Sequence, residues 1–268
     1  MPAASTSSFG SLLRRYRSQR GMSQEKLALE AEISTRHLSC LETNKAAPSR
    51  TMVLLLGSAL DITLRDRNVL LEAAGFVAAY RDEPLDAPDQ VTLRYAVDVM
   101  LRAMEPNGAV AVDRAWNVLQ MNGAAARLMG AFVDFASAPQ EVMMNVVLSV
   151  LHPAGLRPAI VNWEEVAAFT IERSRREIAR MGDDERAKKM LADLEAIPDL
   201  PRGRSVPAPP GGPFLTAHLR KNGLEARIFT TISTIGTPID ATAEEIAIET
   251  FFPADDATAA LMKSLATA

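Results

Sequence analysis

The residues best suited to chemistry lie in "SQEKLALEAEISTRHLSCLETNKAAPS", residues 23 to 49. Two short apolar patterns stand back to back there, each opened by a serine. The second begins with a cluster of side chains that can hydrogen-bond: Ser34, Thr35 and Arg36, then Ser39 and Cys40 one turn on. Ser23 and Ser34 are the residue type that caps a helix N-terminus. The spacing predicts two helices joined by a turn of three to four residues, the helix-turn-helix arrangement. In it the second helix enters the DNA major groove by its N-terminal end, where only polar side chains can read base edges. Leu38 and Leu41 fall on the inward face and fix that helix to a core. The small Ala28 sits where the two helices must come close. The chemistry is recognition rather than bond making.

Other chemistries find little support. The glycines of "PPGGP" lie in a proline-filled loop that does not lead into a helix, so they do not cradle a phosphate. His37, His152 and His218 are scattered, and Cys40 is the only cysteine, which leaves no metal-ligand spacing and no internal disulfide. Asp183-Asp184 and Asp255-Asp256 stand where helix N-termini favour acids. The expectation is a protein that is not an enzyme, with no catalytic residues, no metal and no cofactor.

These residues need elements to position them. The chain has 268 residues, 48% hydrophobic and 23% charged, a globular mix long enough for one large or two smaller domains. Its net charge of −4 hides an asymmetry. Residues 1–50 hold eight Lys/Arg against four Glu, a balance of +4, so the remainder carries −4 − 4 = −8. A basic head on an acidic body points the head alone at a polyanion. The longest apolar stretch, Met52 to Leu60, is far too short to span a bilayer. The start lacks the pattern of a secretory signal, so a cytoplasmic protein with no membrane partner is expected.

Five short helices are predicted from Phe9 to about Phe76. "AAYRDEPLDAPDQ", with two prolines and four acids, then reads as a linker. The expected organisation is an all-α five-helix DNA-binding head over 9–77, a linker over 78–90, and an α+β domain over 91–268. That domain mixes a small antiparallel sheet with flanking helices. "AVAVD", "WNVLQM", "FLTAHLR", "LEARIFTTIST" and "EEIAIETFF" supply the strands, with a turn at Arg114-Ala115 and an Asn222-Gly223 hairpin. "QEVMMNVVLSVL" reads as one helix, "NWEEVAAFTIERSRREIARM" as a long one, and "DDATAALMKSLA" as the last.

The stretch from "SQEKLALE" to "LLEAAGF" resembles the XRE, lambda-repressor-like helix-turn-helix domains of bacterial regulators, over residues 9 to about 76. The resemblance implies that Gln24 contacts phosphate or base from the start of the first motif helix. It implies that Thr35, Arg36 and Cys40 face bases, and that Asn44 and Lys45 lie in the loop touching the DNA backbone. Ser34, Ser39 and Arg50 complete the expected DNA-binding set. Two departures stand out: Glu32 where a glycine is frequent, and "TN" after the recognition helix, where Asn tolerates a left-handed cap.

"AVDRAWNVLQMNGAAARLM", "HPAGLRPAIVNWEEVA" and "TTISTIGTPIDATAEEIAIETFFPADDAT" resemble the MmyB-like, PAS-like ligand-binding domains that follow such heads, over about 90 to 265. That resemblance implies a small apolar, fatty-acid-like effector. The residues fit an adaptable apolar pocket lined by Met100, Met104, Met121, Met129, Met144, Trp163 and Phe229. The same side chains also suit plain core. Asn122, Asn162 and Arg157 are the candidate polar groups at its mouth. Asn122 can equally cap the helix it precedes, and Arg157 can equally form a surface ion pair. The expected protein is a one-component regulator binding operator DNA as a homodimer. The alternative is a regulator whose C-terminal domain is a ligand-free dimerisation or protein-interaction module.

Overall fold

Hydroxyl caps set the boundaries of the first helices in the computed structural model, which describes residues 8–181, 184–200 and 212–267. The first five helices are α1 (Phe9–Gln19), α2 (Gln24–Glu30), α3 (Thr35–Glu42), α4 (Arg50–Ala59) and α5 (Leu64–Ala73). Ser8, Ser23, Ser34, Ser49 and Thr63 precede them, and each hydroxyl accepts a backbone N–H of the first turn. That satisfies donors a helix start would otherwise leave bare. Leu13, Leu27, Leu38, Leu41, Val53, Leu56, Leu60, Leu70 and Leu71 are wholly buried together. At Gly10 a Cβ would lie 2.5 Å from the Leu41 carbonyl oxygen and 2.6 Å from that of Glu42, so α1 crosses the end of α3 backbone to backbone.

Both departures noted in the sequence are turns with left-handed backbone. Glu32 has φ 54° and Asn44 φ 54°. Asn adopts this region readily; Glu does not, and the conformation costs a non-glycine residue about 1 kcal/mol or more. Glu32→Gly is therefore expected to raise the stability of the head by up to about 1 kcal/mol, after allowing for the extra chain entropy glycine brings to the unfolded state. A urea melt followed by circular dichroism checks it; a loss of stability would mean the Glu32 side chain contributes a contact that outweighs the strain.

The chain divides into two compact units, one of residues up to Pro84 with Gly236–Glu244, the other of Leu85–Ile235 with Glu245 onward. In the first, the expected linker is tethered over its opening residues. The buried Asn68 side chain accepts from Ala79 N at 2.9 Å and Tyr80 N at 3.0 Å, and donates to Tyr80 O at 2.7 Å. Ala241 N donates to Arg81 O at 2.8 Å, Thr242 Oγ1 to Glu83 O at 2.7 Å, and Leu64 N to Glu244 Oε2 at 2.6 Å.

The second unit opens with α6 (Val91–Ala103), followed by β1 (Gly108–Val112) and β2 (Val118–Met121). Helices α7 (Gly123–Phe132), α8 (Gln140–Met143), α9 (Val146–Leu151), α10 (Trp163–Met181) and α11 (Glu185–Ala196) come next. Then come β3 (Ala217–Lys221), β4 (Leu224–Thr234), β5 (Ala247–Pro253) and α13 (Asp256–Thr267), while α12 (Ala241–Glu245), between β4 and β5 in the chain, belongs up to Glu244 to the first unit. The strands form one antiparallel sheet in the order β2-β1-β5-β4-β3. Alternation along β1 sorts its neighbours: Ala109 and Ala111 pack with Val97 and Leu101 of α6, whereas Val110 and Val112 pack with Val147 of α9 and Ala167 and Ile171 of α10. On that second side α7 and α13 add Leu128, Phe132 and Met262 against Leu219, Ala226 and Ile228. The hairpin at Asn222-Gly223 has φ 50° and 80°, as a two-residue turn with both central residues left-handed requires.

Three expectations shift. "QEVMMNVVLSVL" is two helices, because Asn145 takes an extended backbone and its side chain accepts from Leu148 N, which starts α9 anew. Strand β2 begins only at Val118: the turn is at Arg114-Ala115 as expected, Trp116 follows it at φ 65°, and Asn117 bridges to Asn145 instead of pairing with β1. Glu244 and Glu245 end α12 instead of opening β5.

Candidate DNA-reading helix and effector site

Helix α3 presents the residues the sequence singled out. Ser34, Thr35 and Arg36 are exposed at its start, with Ser39 and Cys40 half-buried one turn on, while Leu38 and Leu41 are fully buried beneath. His37, which the sequence did not single out, stands exposed beside Arg36. The Ser34 hydroxyl caps the helix by accepting from His37 N at 3.1 Å. Lys45 and Arg50 are exposed on either side of the following turn. Asn44 is exposed too, but its amide is spent inside the protein, accepting from Gly10 N at 3.0 Å and donating to Ser8 Oγ at 3.0 Å. These bonds shape the loop that follows α3.

Underneath lies a charged network that fixes the motif. The buried Glu42, the last residue of α3, receives Arg17 Nε at 2.6 Å and Nη2 at 3.0 Å, and Gln24 Nε2 at 2.7 Å. Arg17 Nη1 also reaches Met22 O at 2.7 Å. Burial by itself would raise the Glu42 carboxyl, but the hydrogen bonds from Arg17 and Gln24 and the charges of Arg17 and Arg14 outweigh it and hold it below the ordinary carboxylate range. Three helices are thereby pinned at one carboxylate. Gln24 is held at the start of α2, where the helix-turn-helix resemblance places its contact.

The expected effector residues are dispersed. Met100 and Met104 pack with α6 on one side of the sheet, and Trp163 packs on the other. Met121 and Met144 are 37% and 43% exposed, and Met129 is half-buried on α7. Phe229 stacks between Phe214 and Phe252, with ring centroids 4.5 and 5.6 Å away. Phe229 and Phe252 are register partners on the α6 side of the sheet. No single cavity can hold this set, because the sheet runs between its members.

The three candidate polar groups are occupied by the protein itself. Asn122 is the cap of α7: Oδ1 accepts from Ala109 N at 3.0 Å and Ala125 N at 2.9 Å, and Nδ2 donates to Leu101 O at 3.1 Å and Asn107 O at 2.9 Å. Asn162 donates to Glu165 Oε2 at 2.9 Å and Thr216 O at 2.8 Å and accepts from His218 N at 2.9 Å. Among the described residues Arg157 forms no ion pair; it lies over the Trp163 ring at 4.6 Å and donates to Pro198 O at 2.8 Å and Asp199 O at 3.3 Å.

The structure instead assembles a cluster that the sequence reading missed. Glu249 of β5 is 4% exposed, on the sheet face covered by α10. Its Oε1 lies 3.6 Å from Arg173 Nη1, while Oε2 and Arg173 Nε are buried atoms without a hydrogen bond among the described residues. The Arg173 guanidinium sits over the Trp116 ring at 4.0 Å, and the Trp116 indole N–H donates to Glu177. Burial pushes the Glu249 carboxyl up; Arg173 and the Thr230 hydroxyl oppose that shift, and the Glu177 charge adds to it. The sequence signal was one acid amid the apolar run "AIETFF", but its partners lie on distant elements.

Comparison with known families completes the picture. The model of the MmyB-like transcription regulator ligand binding domain matches residues 93–265. A helix-turn-helix family model matches residues 13–66. Both families are regulatory. Among the curated proteins no match to the chain is found.

Proposed function

The chain belongs to the family of MmyB-like transcription regulators, its ligand-binding domain preceded by an XRE-like helix-turn-helix, and from this we propose that it is a one-component sensor acting in the cytoplasm. Its head, residues 9–77, binds a two-fold operator as a homodimer. Its body, residues 91–268, responds to a small, largely apolar molecule, and residues 78–90 join the two. The observation that carries the DNA half is α3: polar residues outward at its first turns, leucines fully buried behind them. One such helix offers few base contacts, and two-fold pairing on half-sites about one helical turn apart doubles them. The body's support is the family match together with its buried apolar faces on both sides of one sheet.

Within this reading, Ser34, Thr35, Arg36, Ser39 and Cys40 face the base edges, and Gln24, Lys45 and Arg50 face phosphates. Arg36→Ala is expected to weaken binding to the operator by about 1–3 kcal/mol and to relax preference at one base pair. Titration of operator and scrambled duplexes at one fixed salt concentration tests it. Equal losses on both duplexes would reassign Arg36 to phosphate contact. Sedimentation of the complex reports stoichiometry: two chains per operator is expected, and one chain at saturation overturns the dimer.

A further inference from the structure

We infer that the β4–β5 connection is the transmission element of the protein: through it the state of the ligand-binding domain sets how firmly the head holds its DNA-reading helix. This rests on the reading that the body responds to a small molecule, and it names the route of that response. The connection changes unit along its length. β4 and β5 are neighbouring strands of the body sheet, yet Gly236–Glu244 between them belongs to the compact unit of the head.

Within the head unit this segment holds the start of α5. Leu64 N, the first backbone donor of α5, donates to Glu244 Oε2 at 2.6 Å. A helix start leaves such donors bare and favours an acid beside them. Ala241 N and Thr242 Oγ1 fasten the segment to Arg81 O and Glu83 O, and Ala241 and Ala243 are buried. From α5 the connections lead on to α3. Asp66, in the first turn of α5, accepts from Tyr16 Oη of α1 at 3.0 Å. The next residue of α1 is Arg17, which grips Glu42 at the end of α3. Loosening the start of α5 therefore loosens Tyr16, and with it the alignment of Arg17.

Within the body unit the same connection has no slack. Glu245, the residue after Glu244, is received by Arg186 Nη1 at 2.7 Å and Nη2 at 3.2 Å, with Arg114 Nη1 4.0 Å away. Only Ile246 separates α12 from β5, and it is buried with Ile248 and with Val97 and Leu101 of α6. Thr234 and Ala247 are register partners, so both ends of the connection stand on one rung of the sheet. A ligand that shifts this sheet or the helices packed on it moves Glu245, and the peptide bond to Glu244 carries the movement to α5. Helix shifts of about 1–2 Å are ordinary in switching proteins, and one of that size takes the 2.6 Å contact of Glu244 out of hydrogen-bond range.

The test uses the full chain, read by two-step thermal unfolding and by titration of the duplex that the wild type selects. Glu244→Ala removes the acceptor at α5 and is expected to lower the head transition by about 5 °C or more, the loss of one charged hydrogen bond from a small domain. Arg186→Lys is a change in the body, which keeps the charge and gives up the two-pronged grip on Glu245. It is expected to lower the head transition as well, and to weaken binding of the duplex about fivefold or more. In the double variant the two losses should not add, because the route is already cut at Glu244. Glu245→Gln, which removes the ion pair and keeps the shape, carries the same expectation where Arg186→Lys melts the body first. A head transition and duplex affinity that these body changes leave untouched overturn the inference, even if Glu244→Ala destabilises the head, since Glu244 is then a structural contact alone. Additive losses in the double variant overturn it too. A wild type that selects no duplex overturns the regulator reading instead, and the thermal transitions still decide whether the connection couples the two units.

Discussion

Glu42→Ala is expected to unfold the head while the ligand-binding domain stays folded. Glu42 is 2% exposed at its side chain and holds Arg17, itself 13% exposed, in a two-pronged ion pair, with Gln24 as a third donor. Removing one partner of a buried pair leaves the other charge without compensation, a loss of about 3–5 kcal/mol. A small helical head has little more stability than that to give. Two-step thermal unfolding of the full chain checks it: the earlier transition should vanish or fall sharply and the later one stay in place. The same pairing fixes a pH dependence. The folded Glu42 carboxyl is held below its unfolded value, so its contribution is present above about pH 4.3 and is lost as the pH falls through the folded value. The head should melt first on acidification. A Glu42→Ala chain with an unchanged first transition would show that Arg17 finds water in place of its partner.

Asn122→Ala is expected to destabilise the ligand-binding domain, not merely to weaken effector binding. Its amide satisfies two backbone N–H donors and two backbone carbonyls, and the residue is 7% exposed. Each buried group left without a partner costs about 1–3 kcal/mol, so a total on the order of 4 kcal/mol follows once partial relaxation is allowed. Asn122→Asp separates the roles, keeping both acceptor bonds and losing both donations, and should fall between. If instead Asn122→Ala melts like the wild type and loses only effector affinity, the residue faces the effector after all.

The head was legible because its signals are local. A capping hydroxyl, a leucine pair and a turn lie within a dozen residues of one another, so "SQEKLALEAEISTRHLSCLE" carries its own fold. Even its two oddities, Glu32 and Asn44, announced their left-handed turns by position. What stayed hidden was Glu42, an exposed-looking acid in "CLETN" whose partner Arg17 is 25 residues back. The sheet was legible strand by strand through alternation and the Asn222-Gly223 turn. Its order was not, since β5 inserts between β1 and β4 from the far end of the chain. That insertion also explains the effector residues. Spacing cannot tell the two faces of a sheet apart when the helices covering them come from different parts of the chain. Met100 and Trp163 read as companions and pack on opposite sides. The Trp116–Arg173–Glu249 cluster draws on three elements separated in sequence, and only the assembled sheet brings them together.

The central claim is that the head reads DNA sequence through α3 as one of a two-fold pair. It is tested most directly by selecting bound duplexes from a random library with the full chain at a stated salt concentration, then measuring the affinity of the winner against a scrambled duplex. The account predicts an inverted repeat with half-site centres about one helical turn apart, bound at least about a thousandfold more tightly than the scrambled sequence. A bound pool with no shared sequence, or equal affinity for both duplexes, would contradict it.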